Sequence, residues 1–500
     1  MMNEPEPIAR TPGDAGQNHS ERSLLLRGGV ARVLAYSGMV LLSVLWTVVL
    51  ARRLGVARFG VYTSAMSVTS VATTLVDAGM GNYATREYAS RHGTERARIM
   101  GDIFGLRVTT ATFGVLLAAG FAVAAGYQLP ILIGVVLATA GIVPLISAQT
   151  MWLPLINDLR LTVVSSLELL RQAIWGSLLI GLALAGFGLL PLMASLLVTN
   201  LILVVVTLRI ARNLDHPRLA IRPRAWPSLI HGAAAFSLAT AVGTVYAYTT
   251  QIVTSLVSNP EQTGLFSVSF RIFMATAAIP ALVASSALPV LSRAAQDDRE
   301  RVSYVTKRLL EVSVAAGVGI ALTMVAGARY FILLLGGRAF QHATGVLEVQ
   351  ALAVIASFTL MPCSFSLLAQ GKYRGMLWAN GLGLAVTLSS TVALAGAFGA
   401  VGAAIATICG ETTVATFMVG SLLRAHPDSR PSTSVVLRLL LATACATPVM
   451  FLTFIPSLVR AVAFGGLYLV LVLALRILPP EIRHTLSAIP TSVTQRLRHQ

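Results

Sequence analysis

Charged residues are scarce in this chain of 500 residues: they make up 11% of it, whereas hydrophobic residues make up 55%. A soluble protein of this size needs more charge to cover its surface, so the shortage excludes an ordinary soluble fold. Apolar runs of about 18 residues or more recur along the sequence, each long enough to cross a hydrocarbon core as a helix. The runs are too long and too continuous for barrel strands. The sequence therefore predicts an all-α integral membrane protein.

Sequence patterns that carry enzyme chemistry are also lacking. There is no GxxxxGK[ST] loop for phosphates and no HExxH pair for zinc, and Gly371-Lys372 lacks the rest of the first pattern. The three cysteines, Cys363, Cys409 and Cys445, lie inside apolar runs, which indicates buried thiols rather than disulfides or a metal site. We therefore expect no enzyme activity, no cofactor and no direct use of ATP.

Acidic residues are few as well: 20 Asp and Glu stand against 37 Lys and Arg, which gives a net charge of +17. In a soluble protein such an excess would suggest nucleic acid. Here the basic residues lie in short loops between apolar runs, where they are typical of the cytoplasmic side of a membrane protein. We therefore expect no nucleic acid partner.

The apolar runs predict about fourteen membrane spans. Their approximate limits are 30–51, 60–83, 104–126, 130–153, 166–187, 189–208, 232–256, 265–290, 312–335, 348–370, 377–396, 400–423, 436–454 and 458–477. With a cytoplasmic N-terminus, 30 Lys and Arg residues fall in cytoplasmic segments, Arg107 among them, and 6 fall on the outer side. Arg271 is left inside a span. This asymmetry predicts that both termini are cytoplasmic.

A weak internal repeat relates two parts of the chain. Residues 59–64 align with residues 263–268 at an offset of 204, and residues 183–186 match residues 393–396 at an offset of 210. Six spans per half would give both halves the same orientation, with their axis along the membrane normal. We therefore predict two six-helix lobes in parallel pseudo-repeat, followed by two C-terminal helices. The predicted organisation is a disordered cytoplasmic tail (1–28), an N-lobe (29–212), a cytoplasmic linker (213–231), a C-lobe (232–424), two further spans (425–478) and a cytoplasmic tail (479–500).

Short segments in both halves carry a family resemblance. They are RLGVARFGVY at 53–62, LVDAGMG at 75–81, TRE at 85–87, TGLFS at 263–267 leading to Arg271, LPVLSR at 288–293, and FGAVGAAIAT at 398–407 followed by Glu411. In order and spacing, they resemble the bacterial polysaccharide-biosynthesis flippases, the Wzx-like branch of the MATE-like MOP superfamily. The resemblance covers about residues 25–425.

This resemblance implies a MATE-like fold, in which two lobes enclose a central cavity that opens sideways to lipid. It also implies the substrate, an undecaprenyl-diphosphate-linked oligosaccharide, which alternating access would move from the inner to the outer leaflet. The implied location is the bacterial inner (cytoplasmic) membrane. The implied partners are membrane lipids and the glycosyltransferases or polymerase of the same surface-polysaccharide pathway.

Charges inside the predicted spans need an explanation, because a charge within lipid is costly. Arg271 suits a diphosphate, since a guanidinium contacts phosphate through paired hydrogen bonds; the alternatives are snorkelling to the outer interface or a pair with a carboxylate. Asp77 and Glu411 are candidates for a coupling proton or cation. Asp77 would equally satisfy backbone groups beside Gly79 and Gly81, whereas Glu411 must find a partner in another span or be protonated.

Polar residues in or beside the spans are further candidates for the lining of a substrate cavity. They are Gln149, Asn200, Gln251 and Asn380. These side chains would contact sugar hydroxyls, although hydrogen bonds between helices are their commoner role. On the predicted outer side, Arg52, Arg53 and Arg58 would either attract an anionic head group or anchor the outer interface. Arg53 is included among the substrate-binding candidates.

Three other functions are left open. An exporter of cationic drugs on the same architecture would favour an acidic cavity, whereas the distinctive charge in the second half is Arg271. A membrane-embedded polysaccharide polymerase or ligase would need a sizeable outer loop with catalytic residues. The longest predicted outer loop, about 328–347, offers only Arg329, Arg338 and His342. The third alternative is a scaffold without transport activity.

Overall fold

The structure, a computed structural model, is helical almost throughout. It describes residues 13–77, 80–158, 160–210, 226–297, 299–452 and 454–477, together with residues 220, 222 and 224. Within these ranges the helices are joined by short turns and 3₁₀ segments, and no strand occurs. The predicted all-α class is confirmed. The predicted cytoplasmic tail of residues 479–500 lies outside the described residues.

Sixteen α-helices follow one another in the described part of the chain. They are α1 (Gly13–Asp77), α2 (Met80–Ser90), α3 (Gly93–Ala124), α4 (Leu129–Ala140), α5 (Ile142–Met151), α6 (Leu153–Asn157), α7 (Leu161–Leu184), α8 (Leu189–Ile210), α9 (Trp226–Val257), α10 (Pro260–Asp297), α11 (Arg299–Gly336), α12 (Ala343–Ala351), α13 (Ala353–Ala369), α14 (Tyr373–Ala425), α15 (Thr433–Ala446) and α16 (Ser457–Ala474). Helix α1 starts inside the segment predicted as a disordered tail, and α9 starts inside the predicted linker.

Ten helical stretches of the described chain are long and apolar enough to cross a membrane, so the chain is a multi-pass membrane protein. One of them, Arg374–Ala425, has 52 residues, about twice what a hydrocarbon core needs. Gly399 interrupts this stretch with a φ of 58°, and Gly55 interrupts α1 with a φ of 72°. Glycine adopts this left-handed backbone without a steric penalty. Both breaks fall where two predicted spans meet; the total of about fourteen spans stays a prediction.

The fourth predicted span differs from a single continuous helix. Residues 130–153 are divided among α4, α5 and α6, with breaks at Gly141 and Trp152. The Asn200 side chain on α8 donates to the Gly141 carbonyl oxygen at 2.8 Å. This oxygen also accepts a longer bond from the Leu145 N–H at 3.3 Å, so a neighbouring helix strengthens the hydrogen bonding at the first break.

The two halves of the chain meet through a reciprocal contact of glycines. A Cβ placed on Gly60 would lie 2.5 Å from the Pro260 carbonyl oxygen, and a Cβ on Gly264 would overlap the Val56 carbonyl oxygen. The partners correspond at an offset of 204, since 56 matches 260 and 60 matches 264. Each half therefore presents the same backbone surface to the other, as in an interface with twofold symmetry.

A hydrogen bond one turn further along extends this symmetry. The Thr63 hydroxyl donates to Ser267 Oγ at 2.7 Å, and these residues are also 204 apart. The repeat read from the sequence thus relates residues that touch one another, with the pseudo-twofold axis between them. This contact lies near the turns at Gly55 and Ser258, on the predicted outer face.

The last two helices extend the second half. The rings of Phe464 and Tyr468 on α16 stack with their centroids 6.1 Å apart, and they pack in one cluster with Ala315 and Ala326 of α11. The Tyr468 hydroxyl donates to the Ala315 carbonyl oxygen at 2.7 Å. Because this hydroxyl is buried, its bond to a backbone oxygen orients α16 against α11.

Candidate functional site

Arg271 lies on α10 at the surface between the two halves. Its guanidinium stacks over the ring of Trp46 on α1, with 4.8 Å between Cζ and the ring centroid. Tyr62 on α1 and Tyr248 on α9 lie within electrostatic range of the same group. Two helices, α1 and α9, therefore supply an aromatic wall around one cation, an arrangement that suits a planar guanidinium better than an ammonium group.

The guanidinium of Arg271 has no carboxylate partner among the described residues, where five ion pairs occur elsewhere. Its neighbours Trp46 and Tyr62 each bury a polar atom, the indole Nε1 and the phenol oxygen, that has no hydrogen-bond partner in this part of the chain. Buried donors without acceptors are costly. A ligand with several negatively charged oxygens is the chemistry that would satisfy this group of donors.

Glu411 lies on α14 after the break at Gly399, and it is held by hydroxyl groups. The Tyr246 hydroxyl on α9 donates to Oε1 at 2.9 Å, and the Ser357 hydroxyl on α13 donates to Oε2 at 2.6 Å. No Lys or Arg of the described ranges forms an ion pair with this carboxylate. Glu411 also borders a cavity of about 10 Å³, enough for about one water molecule. The carboxylate is therefore solvated by the protein without a compensating cation.

Asp77 has a cationic partner that the sequence reasoning did not identify. The count of loop charges places Arg107 in a cytoplasmic loop, and this is wrong: Arg107 lies within α3, and its side chain is 3% exposed. Its Nη2 donates to Asp77 Oδ1 at 2.5 Å, and its Nη1 donates to Thr150 Oγ1 at 3.1 Å. Burial is tolerated because the guanidinium is paired and hydrogen-bonded.

Gln149 belongs to the same network, since its Oε1 accepts from Arg107 Nη2 at 3.3 Å. Gln251 lies elsewhere, between the halves, where its Nε2 donates to Ser267 Oγ at 2.8 Å. The structure thus brings Asp77 and Gln149 together, and it places Gln251 at the reciprocal contact. Both glutamines make hydrogen bonds between helices, which is the alternative role considered for them.

Asn200 and Asn380 occupy positions in helix packing. Asn200 is fully buried and bonds the Gly141 carbonyl oxygen, so its position does not favour a role in a substrate cavity. The Asn380 Nδ2 lies beside Gly243, 3.4 Å from where a Cβ would stand on that glycine. The Asn380 side chain therefore fills space between α14, which also carries Glu411, and α9, which carries its donor Tyr246.

The arginines of the predicted outer side differ in their contacts. Arg52 donates from Nη2 to the carbonyl oxygens of Leu334 at 2.7 Å and Leu333 at 3.3 Å, which joins α1 to the end of α11. Arg53 and Arg58 are exposed. Arg52 therefore anchors one half to the other, whereas Arg53 remains at the surface.

The predicted residues do not form one cluster. They are divided among the Asp77 network in the first half, the Glu411 site in the second half and Arg271 between them. Sequence reasoning missed Arg107, Trp46, Tyr246 and Ser357. Only Arg107 gave a usable signal, because it falls inside the span predicted to start at residue 104. The other three are ordinary membrane-helix residues until a fold places them beside a charge.

Comparison with known families gives one match that covers more than half of the chain. A family model described as polysaccharide biosynthesis protein matches residues 49–345. The comparison with curated proteins gives no match to this chain.

Solved structures with the same fold are membrane transporters. The lipid II flippase MurJ in an inward closed conformation superposes with a TM-score of 0.73 at 12% identity, over 88% of this chain and 98% of that one. An inward-facing multidrug resistance MATE family transporter of the MOP superfamily gives 0.61 at 13% identity, over 78% and 96%. A MOP superfamily transporter from Pyrococcus furiosus gives 0.55 at 14% identity, over 81% and 96%. At these identities the likeness establishes the fold.

Proposed function

The chain belongs to the polysaccharide biosynthesis protein family, and from this premise we propose that it is a flippase. It moves a polyprenyl-diphosphate-linked oligosaccharide from the inner to the outer leaflet of the bacterial cytoplasmic membrane by alternating access. Both termini lie in the cytoplasm. The glycosyltransferases and the polymerase of the same surface-polysaccharide pathway supply the substrate and consume the product.

The observation that carries this proposal is the environment of Arg271. A guanidinium stacked on Trp46, with no carboxylate partner among the described residues, lies between the halves that move relative to one another in alternating access. A diphosphate supplies the acceptor oxygens that Arg271 and the neighbouring Trp46 and Tyr62 groups lack. Only the polar head needs this environment, because the hydrocarbon tail remains in the bilayer during transfer.

Glu411 is the better of the two candidates for coupling to a proton. Its two hydrogen-bond donors, Tyr246 and Ser357, are neutral, so a proton on the carboxyl group removes a buried charge. Asp77 is already balanced by Arg107, so protonation there would leave the guanidinium without its partner. This difference favours a proton gradient that acts through the second half.

The test is transfer of a fluorescent polyprenyl-diphosphate sugar by the purified protein in vesicles, with Arg271→Ala and Arg271→Lys compared with the wild type. We expect Arg271→Ala to lose about 90% or more of the transfer rate, since a charged hydrogen bond contributes about 1.5–3 kcal/mol. Arg271→Lys should recover only part of the rate, because lysine keeps the charge but loses the paired contact and much of the stacking.

The matched control is Arg460→Ala. It removes an arginine of α16 that donates to the Ala326 carbonyl oxygen of α11, a contact within the second half. It should leave the rate near that of the wild type at equal protein level. Normal transfer by a correctly inserted Arg271→Ala protein would contradict the proposed phosphate contact. If the protein transferred a cationic dye faster than the polyprenyl-diphosphate sugar, the result would favour drug export instead.

A further inference from the structure

A second feature lies between the two halves. It is an apolar cavity of about 430 Å³ formed by α1, α3, α9 and α14. Its walls include Val68, Ala72, Leu117, Ile252 and Leu388, and Thr249 is the one polar side chain among the described residues that line it. Leu117 and Leu388 are 49% and 46% exposed, so the cavity opens sideways from the protein. In a membrane this opening faces hydrocarbon.

A polar cavity of about 370 Å³ follows the apolar one toward the predicted outer face. Hydroxyl and amide groups from both halves line it: Ser64, Tyr127 and Gln128 from the first half, and Ser255 and Thr263 from the second. The Tyr127 and Ser255 oxygens are 3.2 Å apart and form a hydrogen bond across the cavity. Its residues therefore offer several donors and acceptors within a small volume.

The two cavities lie on the same faces of three helices. On α1, Ser64 precedes Val68 by four residues; on α9, Ser255 follows Ile252 by three; and Ala125 follows Phe121 by four at the end of α3. Residues three or four apart lie one above the other on a helix. The polar and apolar cavities therefore form one groove, which has a polar end at the interface and an apolar end at membrane depth.

Among the described residues that line the two cavities there is no Asp, Glu, Lys or Arg. The polar end therefore recognises its ligand by hydrogen bonds and not by charge, in contrast with the Arg271 site. Uncharged hydroxyl groups are the chemistry that fits Ser, Thr, Tyr and Gln side chains, because each can both donate and accept. A phosphate would lose its hydration here without gaining a cation.

We propose that this groove binds a glycolipid of the outer leaflet, with its neutral sugar head in the polar cavity and one hydrocarbon chain in the apolar cavity. The bound lipid contacts both halves at once, beside the hydrogen bond between Tyr127 and Ser255. This site does not depend on the transport function proposed above, since it uses neither Arg271 nor Glu411.

The experiment is photo-crosslinking of the full-length protein in vesicles of phosphatidylethanolamine and phosphatidylglycerol. Monoglucosyl diacylglycerol with a diazirine on its acyl chain is the probe, and phosphatidylglycerol with the same chain is the comparison. We expect the glucosyl probe to label peptides around residues 68–75 and 117–121 about tenfold more than the phospholipid does. Leu117→Trp and Leu388→Trp should reduce that labelling about tenfold, because the indole fills the groove from its rim.

The matched control is Leu201→Trp, which changes a leucine of α8 that is 51% exposed. It should leave labelling of the groove unchanged. Gln128→Ala, at a position outside the membrane helices, should reduce the preference for the glucosyl head and keep the labelling by the chain. Equal labelling by both probes in the wild type would overturn the sugar assignment. Undiminished labelling in both tryptophan variants, with their folding confirmed by thermal unfolding, would overturn the groove itself.

Discussion

Each half of the molecule holds one carboxylate against neighbouring helices, Asp77 in the first half and Glu411 in the second, and the two are stabilised differently. In the first half, Asp77 pairs with Arg107 of a neighbouring helix. In the second half, Glu411 accepts hydrogen bonds from Tyr246 and Ser357. The first arrangement is electrically neutral while the carboxylate is ionised, whereas the second becomes neutral on protonation. The two halves therefore share their helical repeat but balance these two charges in different ways.

The contact between the halves, unlike the two carboxylates, is symmetric. Gly60 and Gly264 occupy equivalent positions, and each approaches the backbone of the other half. Thr63 and Ser267 repeat the same relation one turn away. Close backbone packing leaves no room to vary, since protein interiors are packed to the density of crystals. The two halves are thus symmetric where their backbones touch and differ around the carboxylates Asp77 and Glu411.

Arg107→Met should have the largest effect on stability. Removal of the guanidinium leaves Asp77 without its partner in a partly buried place, and we expect a loss of about 3 kcal/mol in the free energy of unfolding. Chemical unfolding in mixed micelles would measure it. Arg91→Met is the control, because Arg91 is 46% exposed and its partners Glu87 and Glu95 are 20% and 71% exposed, so the loss should be small beside that of Arg107→Met. If Arg107 and Asp77 are paired, Arg107→Met should cost less stability in a protein that already carries Asp77→Asn. An equal cost in both backgrounds would contradict the pairing.

The glycine contact should respond equally from either side. Gly60→Ala and Gly264→Ala each introduce a Cβ against the backbone of the other half, and we expect each to cost about 2 kcal/mol through overpacking. The control is Gly120→Ala on α3, where a Cβ would meet nothing within 4 Å. This change should be neutral or slightly stabilising, as expected for alanine in a helix. Clearly unequal losses at the two glycines would break the symmetry between the halves.

The hydroxyl pair at the same contact should reveal a smaller asymmetry. Thr63→Val removes the bond to Ser267 and a long one of 3.5 Å from Gln251 Nε2, and it should cost about 1 kcal/mol. Ser267→Ala should cost more, because Ser267 also accepts a hydrogen bond from Gln251 at 2.8 Å. Unfolding in mixed micelles would rank the two variants. The reverse order would show that Gln251 finds another acceptor.

Glu411→Gln should have the smallest effect on stability, about 1 kcal/mol or less, because the amide oxygen still accepts a hydrogen bond. Its effect on coupling should be large. In vesicles with an imposed pH gradient, the wild-type transfer rate should respond to the gradient and the variant rate should not. Asp77→Asn is the comparison and should keep the response. Loss of the response in Asp77→Asn alone would assign coupling to the first half.

Several local features follow directly from the sequence. The predicted span limits meet near Gly55 and Gly399, and the helices break at these two glycines. The separation at Gly186 between α7 and α8 also agrees, with a φ of 79° there. These features are predictable because a glycine between two long apolar runs is a local signal for a turn.

The partners of the buried charges were not predictable in the same way. Arg107 and Asp77 are 30 residues apart, and Glu411 is 54 residues from Ser357 and 165 from Tyr246. Hydropathy averaged over a span hides a single arginine near the limit of a predicted span, which explains the assignment of Arg107 to a loop although it lies in the middle of α3. Tyrosine and serine in apolar helices give no signal of their own.

The amino-acid sequence alone determined the helical membrane class, because lipid leaves the backbone only one local solution for long apolar runs. It also determined the repeat offset of 204. The tertiary structure alone decided which carboxylate has a cation, which arginine has none, and where polar and apolar cavities join into one groove. Those properties depend on side chains brought together from distant helices. The free energy of burying these side chains is gained only when the helices pack.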